Sequence, residues 1–427
     1  MKNNPLCGIC FPQWLSILRQ RYREIEWFKY WPRILFLTFM SIINSLLAFI
    51  EWILYGDIVN STTTPLHPSP VFILGHPRTG TTLLHSLLAL DDDRWAICST
   101  FCAAFPSSFL WLERYKCWFT GVMDDTRPMD NVKLDFDLPQ EDEIATNVLS
   151  GGMCSPYMPL FFMRQEPEYR AFYSFENENG DNDNDSNNNN NETTKNKNRW
   201  IQAFLFLCHK LTLRAATTSA SSNNTTSQPK TKKRLLLKSP VHTARMKLLL
   251  QLFPEAQFIY IHRNPYDVFR SAAHMADTTY WYTYLNTPTN AMIQEFILRQ
   301  YEILWETYEE GRKDLSMLQQ QQQTTTAGKS SQPPPQLLEV SFNELTTDTI
   351  GTMKKIYTHF EWTTTSWEES DIYSKLIQEI PNVQSYQKNT FRSLSSTLEQ
   401  IIDERWGPSF ERLGYRRRCD DNKNKTV

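Results

Sequence analysis

The most constraining feature of the sequence is an apolar run that breaks into a short polar loop and then resumes with a different spacing. Residues 71–90 read VFILGHPRTGTTLLHSLLAL. The run at the start is rich in β-branched and aromatic residues, which favours a buried strand, and the apolar residues at the end recur at helical spacing. Gly75 and Gly80 bound the loop between them. This segment predicts a strand, a loop that can wrap an anion, and a helix whose N-terminus faces that anion.

The residues inside the loop narrow the choice of anion. Gly75 and Gly80, followed by Thr81 and Thr82, have the spacing of the nucleotide-binding P-loop, but Thr81 stands where that motif has lysine. In an ATPase the lysine reaches the β- and γ-phosphates and the next hydroxyl holds magnesium. Here the cation of the loop is Arg78. The loop therefore favours a terminal sulfate or phosphate that is bound without lysine and magnesium.

Composition bounds the domain organisation. Within the 427 residues, several polar, repetitive stretches carry too little apolar surface to offset the entropy of ordering, so we predict disordered, low-complexity insertions in surface loops there. These insertions are predicted at residues 176–198, 217–232 and 318–336. The predicted division is an N-terminal helical segment (1–62), one large domain (63–418) and a tail (419–427). A net charge of −3 argues against a nucleic-acid partner.

The N-terminal segment contains a strongly apolar stretch at residues 34–55, with several basic residues before it. That asymmetry is typical of a membrane anchor with a cytosolic N-terminus, as in a single-pass Golgi-type enzyme. Asn44 and Glu51 interrupt the stretch. Their presence equally fits a helix that packs on the large domain or lies at a membrane surface. A cytoplasmic and a membrane-associated location both remain open.

Apolar runs and helical patterns alternate through the rest of the chain. Short strands are predicted at residues 234–237, 257–262 and 339–341, and helices at 243–253, 266–275 and 348–360. Such alternation predicts an α/β fold with a mostly parallel central sheet flanked by helices in three layers, in the manner of P-loop proteins. Ligands of such folds bind at the carboxyl ends of the strands.

A second anion-binding element is predicted in residues 258–275, which read FIYIHRNPYDVFRSAAHM. Arg263 falls at a strand's carboxyl end, Pro265 helps start a helix, and Ser271 lies about two turns inside it. A guanidinium can pair with a phosphate through two parallel hydrogen bonds, and the Ser271 hydroxyl can donate another.

Several of these segments together resemble a known family. PRTGTT after an apolar strand, LLLKSPVHTARMKLLLQLFPEAQFIYIHRNPYDVFRS, YQKNTFRSL and ERWGPSFERLGY are similar to sulfotransferases that use 3'-phosphoadenosine 5'-phosphosulfate (PAPS). DNVKLDFDLPQEDEIA and SPY extend the resemblance. It runs from about residue 69 to residue 415 and is closest to the branch with the LKSP element.

The resemblance implies roles for individual residues. The 5'-phosphosulfate would be held by Arg78, Thr79, Gly80, Thr81 and Thr82. Arg263 and Ser271 would hold the 3'-phosphate, and Lys238 would lie near the sulfuryl group. A late loop that closes over the nucleotide would contain Lys388, Asn389 and Arg392, although the RKG-type triplet of relatives is missing there.

The implied reaction is an in-line displacement at sulfur with no metal, in which Arg78 and Lys238 stabilise the developing charge. An alcohol acceptor also needs a base for its proton. Glu143, His242 and Glu141 are the candidates, in that order, and the acidic residues could instead serve only to stabilise the N-terminus of a helix.

Other functional classes remain as alternatives. A nucleotide-dependent, kinase-like enzyme would want a Gly-Lys-Ser/Thr sequence at the loop, and a protein that retains the fold without turnover is the other possibility. The acceptor can be a small molecule, a glycan or a lipid that offers a hydroxyl (or an amine), because an aromatic content of 13% suits any of these.

Overall fold

The computed structural model describes residues 4–60, 65–122, 135–176, 186–221, 232–325, 336–363, 366–385, 391 and 393–418. The chain forms two compact units. Unit 1 consists of Met1–His67, Asp92–Leu237 and Thr278–Ile293, and unit 2 consists of Pro68–Asp91, Lys238–Asp277 and Gln294–Val427. The predicted division at residues 1–62, 63–418 and 419–427 stays a prediction.

Strands and helices are numbered along the chain. The strands are β1 (Val71–Leu74), β2 (Trp95–Ile97), β3 (Arg234–Lys238), β4 (Gln257–His262) and β5 (Leu337–Ser341). The α-helices are α1 (Phe11–Gln20), α2 (Trp27–Asn60), α3 (Thr81–Ala89), α4 (Thr100–Ala104), α5 (Phe109–Leu112), α6 (Asp142–Leu149), α7 (Ser186–Ser221), α8 (Met246–Leu252), α9 (Pro265–Thr279), α10 (Asn290–Thr325), α11 (Phe342–Thr347), α12 (Thr349–His359), α13 (Asp371–Ser385) and α14 (Ser396–Leu413). The 3-10 helices are Glu113–Val122, Met158–Leu160, Met163–Phe172, Pro240–Arg245, Tyr280–Tyr282 and Trp367–Glu369.

The strands pair in parallel. In unit 2, β4 pairs with β1 and with β5, with Phe258 opposite both Phe72 and Leu337. In unit 1, β2 pairs with β3 in the register Trp95 to Arg234. Parallel strands alternating with helices confirm the predicted α/β fold with an N-terminal helical segment. Strand β1 is wholly buried, as the continuous apolar run at its position predicts.

Local sequence signals place several helices well. Pro265 begins α9, and Asp348 caps α12 by accepting a hydrogen bond from the Gly351 amide. The segment predicted as a helix at 243–253 is instead a 3-10 turn followed by α8. The 3-10 turn starts earlier, at Pro240, because the Ser239 side chain caps it by accepting from the Val241 amide.

The prediction of disordered loops is wrong for part of each insertion, because those parts form the ends of two long helices. Helix α7 includes residues 186–198 and 217–221, and α10 includes residues 318–325. Of the remaining insertion residues, the structure describes 176, 232 and 336. Buried apolar residues of α7 lie at helical spacing and anchor it, so the helix can continue into polar sequence at both ends. These anchoring residues are Trp200, Phe204, Leu207 and Leu211.

Candidate active site

The loop after β1 can be built only with glycine at its two ends. Gly75 has a φ of 147°, and a Cβ there would lie 2.5 Å from the carbonyl oxygen of Ile261. Gly80 has a φ of 99°, and its Cβ would lie 2.3 Å from the ring of Phe342. A side chain at either position would be both strained and sterically blocked. The loop therefore takes a tight path that only glycine allows at these two positions.

Arg78 is the one loop residue whose backbone conformation is costly. Its φ of 74° lies in the left-handed region, which non-glycine residues seldom adopt. Such conformations cost on the order of 1–3 kcal/mol and persist where surrounding contacts enforce them, often at ligand sites. This outlier is a reason, independent of the motif, to place a binding function at Arg78.

Hydrogen bonds within unit 2 fix the loop. The Gly75 amide donates to the Thr243 hydroxyl at 2.8 Å, and that hydroxyl lies 3.1 Å from the Gly75 carbonyl oxygen. The Thr79 hydroxyl donates to the His76 carbonyl at 2.8 Å. Helix α3 then begins at Thr81 with no side-chain cap on its N-terminus. Amides of a first helical turn have no partner within the helix, so they are suited to bind an anion.

The two predicted phosphate-binding elements meet in the structure. The Arg78 Nε donates to the Ser271 hydroxyl at 3.0 Å, and Arg263 Nη1 donates to the Arg78 carbonyl at 3.4 Å. The Arg263 guanidinium also lies over the ring of Phe342, 4.6 Å from its centroid, and 3.9 Å from a carboxylate oxygen of Asp267. Two guanidinium groups and a hydroxyl are therefore gathered at the loop, although they are far apart in sequence.

Lys238 lies at the end of β3 and belongs to unit 2. It is almost fully buried, and its Nζ lies 3.3 Å from the hydroxyl of Thr82 in the first turn of α3. A buried ammonium is expensive unless anionic or polar groups surround it. Its position beside the start of α3 brings a positive charge to the same helix N-terminus that Arg78 flanks in the chain.

His76 is held inside the loop as a structural residue. Its ring is buried, stacks on Tyr301 with a centroid distance of 4.0 Å, and its Nε2 lies 3.1 Å from the Tyr301 carbonyl oxygen. Burial lowers the pKa of His76 to about 3. The imidazole is therefore neutral near pH 7, and its role is to shape the loop.

The three candidate bases have different surroundings. In unit 1, Glu143 is fully buried and accepts hydrogen bonds from the Ser155 hydroxyl at 2.8 Å and the Trp200 indole at 3.0 Å. Glu141 precedes α6 and accepts from the Tyr157 hydroxyl at 2.5 Å. In unit 2, His242 is buried with its ring edge-on to Phe72.

Two further predictions concern the late loop over the nucleotide and the absence of a metal ion. Lys388, Asn389 and Arg392 lie outside the described residues, so their assignment stays a prediction. Among the residues that the structure describes, no group of three or more His, Cys, Asp or Glu side chains is arranged to hold a metal ion.

Three contacts of the site were not predicted from the sequence. Thr243 and Phe342 hold the two glycines of the loop, and Trp200 donates to Glu143. Thr243 follows the LKSP element closely and Phe342 follows the predicted strand at 339–341, so both stand where residues after strands meet a ligand site. Trp200 gave no such signal, because its place at the start of the apolar stretch of α7 predicts burial but not a hydrogen bond to Glu143.

A parallel α/β fold with a glycine-bounded loop before a helix N-terminus is typical of proteins that bind a phosphorylated or sulfated ligand. The particular family follows from comparison with known proteins: the model of the sulfotransferase family matches residues 70–368. The chain therefore belongs to the sulfotransferase family.

Individual relatives agree with this assignment. The chain is similar to the omega-hydroxy-beta-dihydromenaquinone-9 sulfotransferase Stf3 of Mycobacterium bovis and of Mycobacterium tuberculosis, with 28% identity over 96% of this chain and 91% of each relative. The crystal structure of sulfotransferase STF1 from Mycobacterium tuberculosis H37Rv covers 92% of this chain and 91% of its own, with a TM-score of 0.57 at 17% identity. At 17% identity, the similarity to the STF1 structure supports the fold alone.

Proposed function

We propose that this protein transfers the sulfuryl group of PAPS to a hydroxyl group of an apolar acceptor. The observation that carries the proposal is the joining of Arg78, Ser271 and Arg263 at the end of β1 and β4. PAPS has two separate anionic ends, and this cluster offers two guanidinium groups and a hydroxyl in addition to the amides at the start of α3.

The chain's residues fit a donor of this kind without a lysine in the loop. The tight path enforced by Gly75 and Gly80 brings backbone amides to the anion, as loops that cradle phosphates do. Arg78 and the first turn of α3 would hold the 5'-phosphosulfate, with Thr79, Thr81 and Thr82 adding loop contacts. Arg263 and Ser271 would hold the 3'-phosphate.

Charge stabilisation is the main task of these residues in the reaction. PAPS supplies an activated sulfuryl group. The acceptor oxygen forms a bond to sulfur while the bond from sulfur to the 5'-phosphate oxygen breaks, and 3'-phosphoadenosine 5'-phosphate (PAP) leaves with the bonding electrons. Lys238 and Arg78 would stabilise the negative charge that grows on the leaving oxygen, which is where positioned cations have their largest effect.

The acceptor's proton must pass to a base on the protein. Glu143 is our first candidate, His242 the second and Glu141 the third. Hydrogen bonds from Ser155 and Trp200 would hold the Glu143 carboxylate in one orientation, which a general base requires. The same bonds would also suit a purely structural carboxylate, so the assignment depends on the variants described in the Discussion.

The apolar acceptor is proposed from the relatives. The similar Stf3 proteins are named for an omega-hydroxylated menaquinone, an isoprenoid lipid alcohol, and the similarity covers nearly the whole chain. A terminal hydroxyl on a long apolar chain is therefore the acceptor class that we propose. A glycan or a small polar alcohol would be the alternative.

The test is transfer of ³⁵S from labelled PAPS to a panel of alcohols. The panel should contain a long isoprenoid alcohol, a short-chain alcohol and a monosaccharide, each with wild-type protein and with Lys238→Ala. We expect labelled product with the isoprenoid alcohol in the wild type and loss of that product in the variant. Labelling of the sugar alone would refute the acceptor class, and no binding of PAP by the wild type would refute the proposed donor.

A further inference from the structure

Helix α2 presents two faces of opposite character. Its buried side chains include Ser41, Asn44 and Glu51, which are polar. By contrast, every side chain classed as exposed between Leu35 and Leu54 is apolar. A surface helix of a protein in water normally has the reverse arrangement.

Several polar side chains of the buried face bind other parts of unit 1. The Asn44 amide donates to the Cys7 carbonyl at 2.6 Å, and the Phe11 amide donates to the Ser45 hydroxyl at 2.8 Å. Glu51 forms a buried ion pair with Lys210 and accepts from the Leu110 amide at 2.8 Å. These contacts tie α2 along its length to other elements of unit 1, so the buried face is permanently occupied by protein.

The exposed face forms one long stripe. Its side chains recur at steps of three and four residues, which keeps them on one side of the helix. They are Phe28, Trp31, Leu35, Phe39, Ile42, Leu46, Phe49 and Ile53, each more than 40% exposed. From Phe28 to Ile53 the stripe is about 37 Å long at 1.5 Å per residue. Monomeric soluble proteins rarely expose apolar patches of that extent.

Aromatic and basic side chains flank both ends of the stripe. Near its start, Tyr22 packs on Trp27, and Arg33 donates to the carbonyl of the half-exposed Trp281. Near its end, Arg114 lies 3.2 Å from the Tyr55 hydroxyl.

Next along the chain from Arg114, Tyr115 packs on Trp118, which is 77% exposed. Lys116 lies between these two aromatic residues in the sequence. Aromatic rings with basic neighbours are the side chains that favour the headgroup level of a membrane.

We propose that α2 lies flat on a lipid bilayer, with this stripe buried among the acyl chains and its polar face kept against unit 1. The helix is long and apolar enough to cross a membrane, with a mean hydropathy of 2.0, but only its outer face is available for lipid. Crossing the bilayer would carry the buried Glu51 and Lys210 pair and the backbone around it into the hydrocarbon. The inference does not rest on the proposed donor or acceptor.

Vesicle flotation of the full-length protein tests the inference. Vesicles of phosphatidylcholine with phosphatidylglycerol should carry the wild type to the top of the gradient, and carbonate at high pH should release it. The variant Phe39→Gln, Leu46→Gln, Ile53→Gln should partition at least about tenfold more weakly, because three apolar side chains lose their burial in lipid.

A matched triple controls for the loss of surface apolarity. Met317→Gln, Leu318→Gln, Ile377→Gln changes residues of similar exposure that belong to other helices and should float like the wild type. Circular dichroism and urea unfolding check that both triples remain folded. Retention after carbonate would establish a spanning helix, and equal flotation of both triples would exclude the α2 stripe. A concentration-dependent dimer that the α2 triple dissociates would show that a second copy covers the face; each of these three results overturns the proposal.

Discussion

The anion-binding loop of unit 2 and the acidic helix α6 of unit 1 both combine charged groups with burial, but they are built differently. At the loop, Arg78 donates to the Ser271 hydroxyl and Arg263 donates to the Arg78 carbonyl. An anionic ligand can replace these acceptors or bind beside them. In α6, Glu143 is fully buried and holds two donors, Ser155 and Trp200. The difference leads us to expect a ligand at the loop, whereas the Glu143 carboxylate is already engaged by two donors of the protein.

The largest expected effect is at Arg78. Arg78→Ala removes the cation that we propose lies beside the leaving oxygen, and we expect turnover with PAPS to fall about 10³-fold, as for loss of one strong transition-state donor. Arg312→Ala, which breaks a surface ion pair with Glu309, is the matched arginine control and should keep wild-type turnover. Steady-state rates measure both variants, and a wild-type rate for Arg78→Ala would remove the loop from the mechanism.

The next largest effect is expected at Glu143. It tests whether this buried carboxylate acts as a base in addition to accepting hydrogen bonds from Ser155 and Trp200. Glu143→Gln should lower turnover by about 10²-fold, the usual contribution of a general base, and leave PAP affinity unchanged. Trp200→Phe keeps the carboxylate but removes one donor that orients it, so it should lower turnover less than Glu143→Gln does. Unchanged turnover in Glu143→Gln would make Glu143 structural, and His242→Gln would then be the variant expected to lose activity.

The affinity for PAP distinguishes residues that contact the 3'-phosphate from residues that contact the 5' end of the proposed donor. Arg263→Ala should raise the Kd for PAP by about 10- to 100-fold, because a charge-assisted hydrogen bond contributes about 1.5–3 kcal/mol. Ser271→Ala should raise it less, by up to about tenfold, since it removes a neutral donor. Calorimetric titration measures both. If adenosine 5'-phosphosulfate, which lacks the 3'-phosphate, showed the same loss in Arg263→Ala, the 3'-phosphate assignment would be wrong.

Much of the loop could be predicted because its parts are close in sequence. Gly75, Gly80 and the helix at Thr81 are joined by a few residues, so the motif fixes the local fold. The spacing of Ser271 from Arg263 predicts that Ser271 contacts a phosphate. Its hydrogen bond to Arg78 depends on how β1 and β4 pair, and the loop sequence does not determine that pairing. Trp200 lies 57 residues from Glu143, so that contact required the tertiary structure.

The inward polar face of α2 shows a second limit. Asn44 and Glu51 interrupt an apolar segment, and the sequence alone leaves three placements open: packing on the large domain, lying at a membrane surface and spanning a membrane. The structure gives both residues partners in unit 1, Cys7 and Lys210. Those partners lie 37 or more residues away in the chain, so helical periodicity could not identify them.

The smallest expected effect is on stability and concerns His76. Burial lowers its pKa from 6.5 to about 3, so the unfolded chain binds a proton that the folded loop does not between those values. Stability from this group is complete above pH 6.5 and is lost as the pH falls below it. The free energy of unfolding should drop by about 2 kcal/mol more between pH 7 and pH 5 in the wild type than in His76→Gln. Urea unfolding at both pH values measures this; equal drops would mean that His76 is already protonated when folded.

The most direct test of the central claim is calorimetric titration of the full-length protein with PAP and, separately, with ATP and magnesium. A site in which the loop lacks lysine and Arg78, Ser271 and Arg263 lie together should bind PAP. Titration with ATP and magnesium should then give no measurable heat. Preference for ATP and magnesium would contradict the account in favour of a kinase-like enzyme, and binding of neither ligand would leave a sulfotransferase fold without a working donor site.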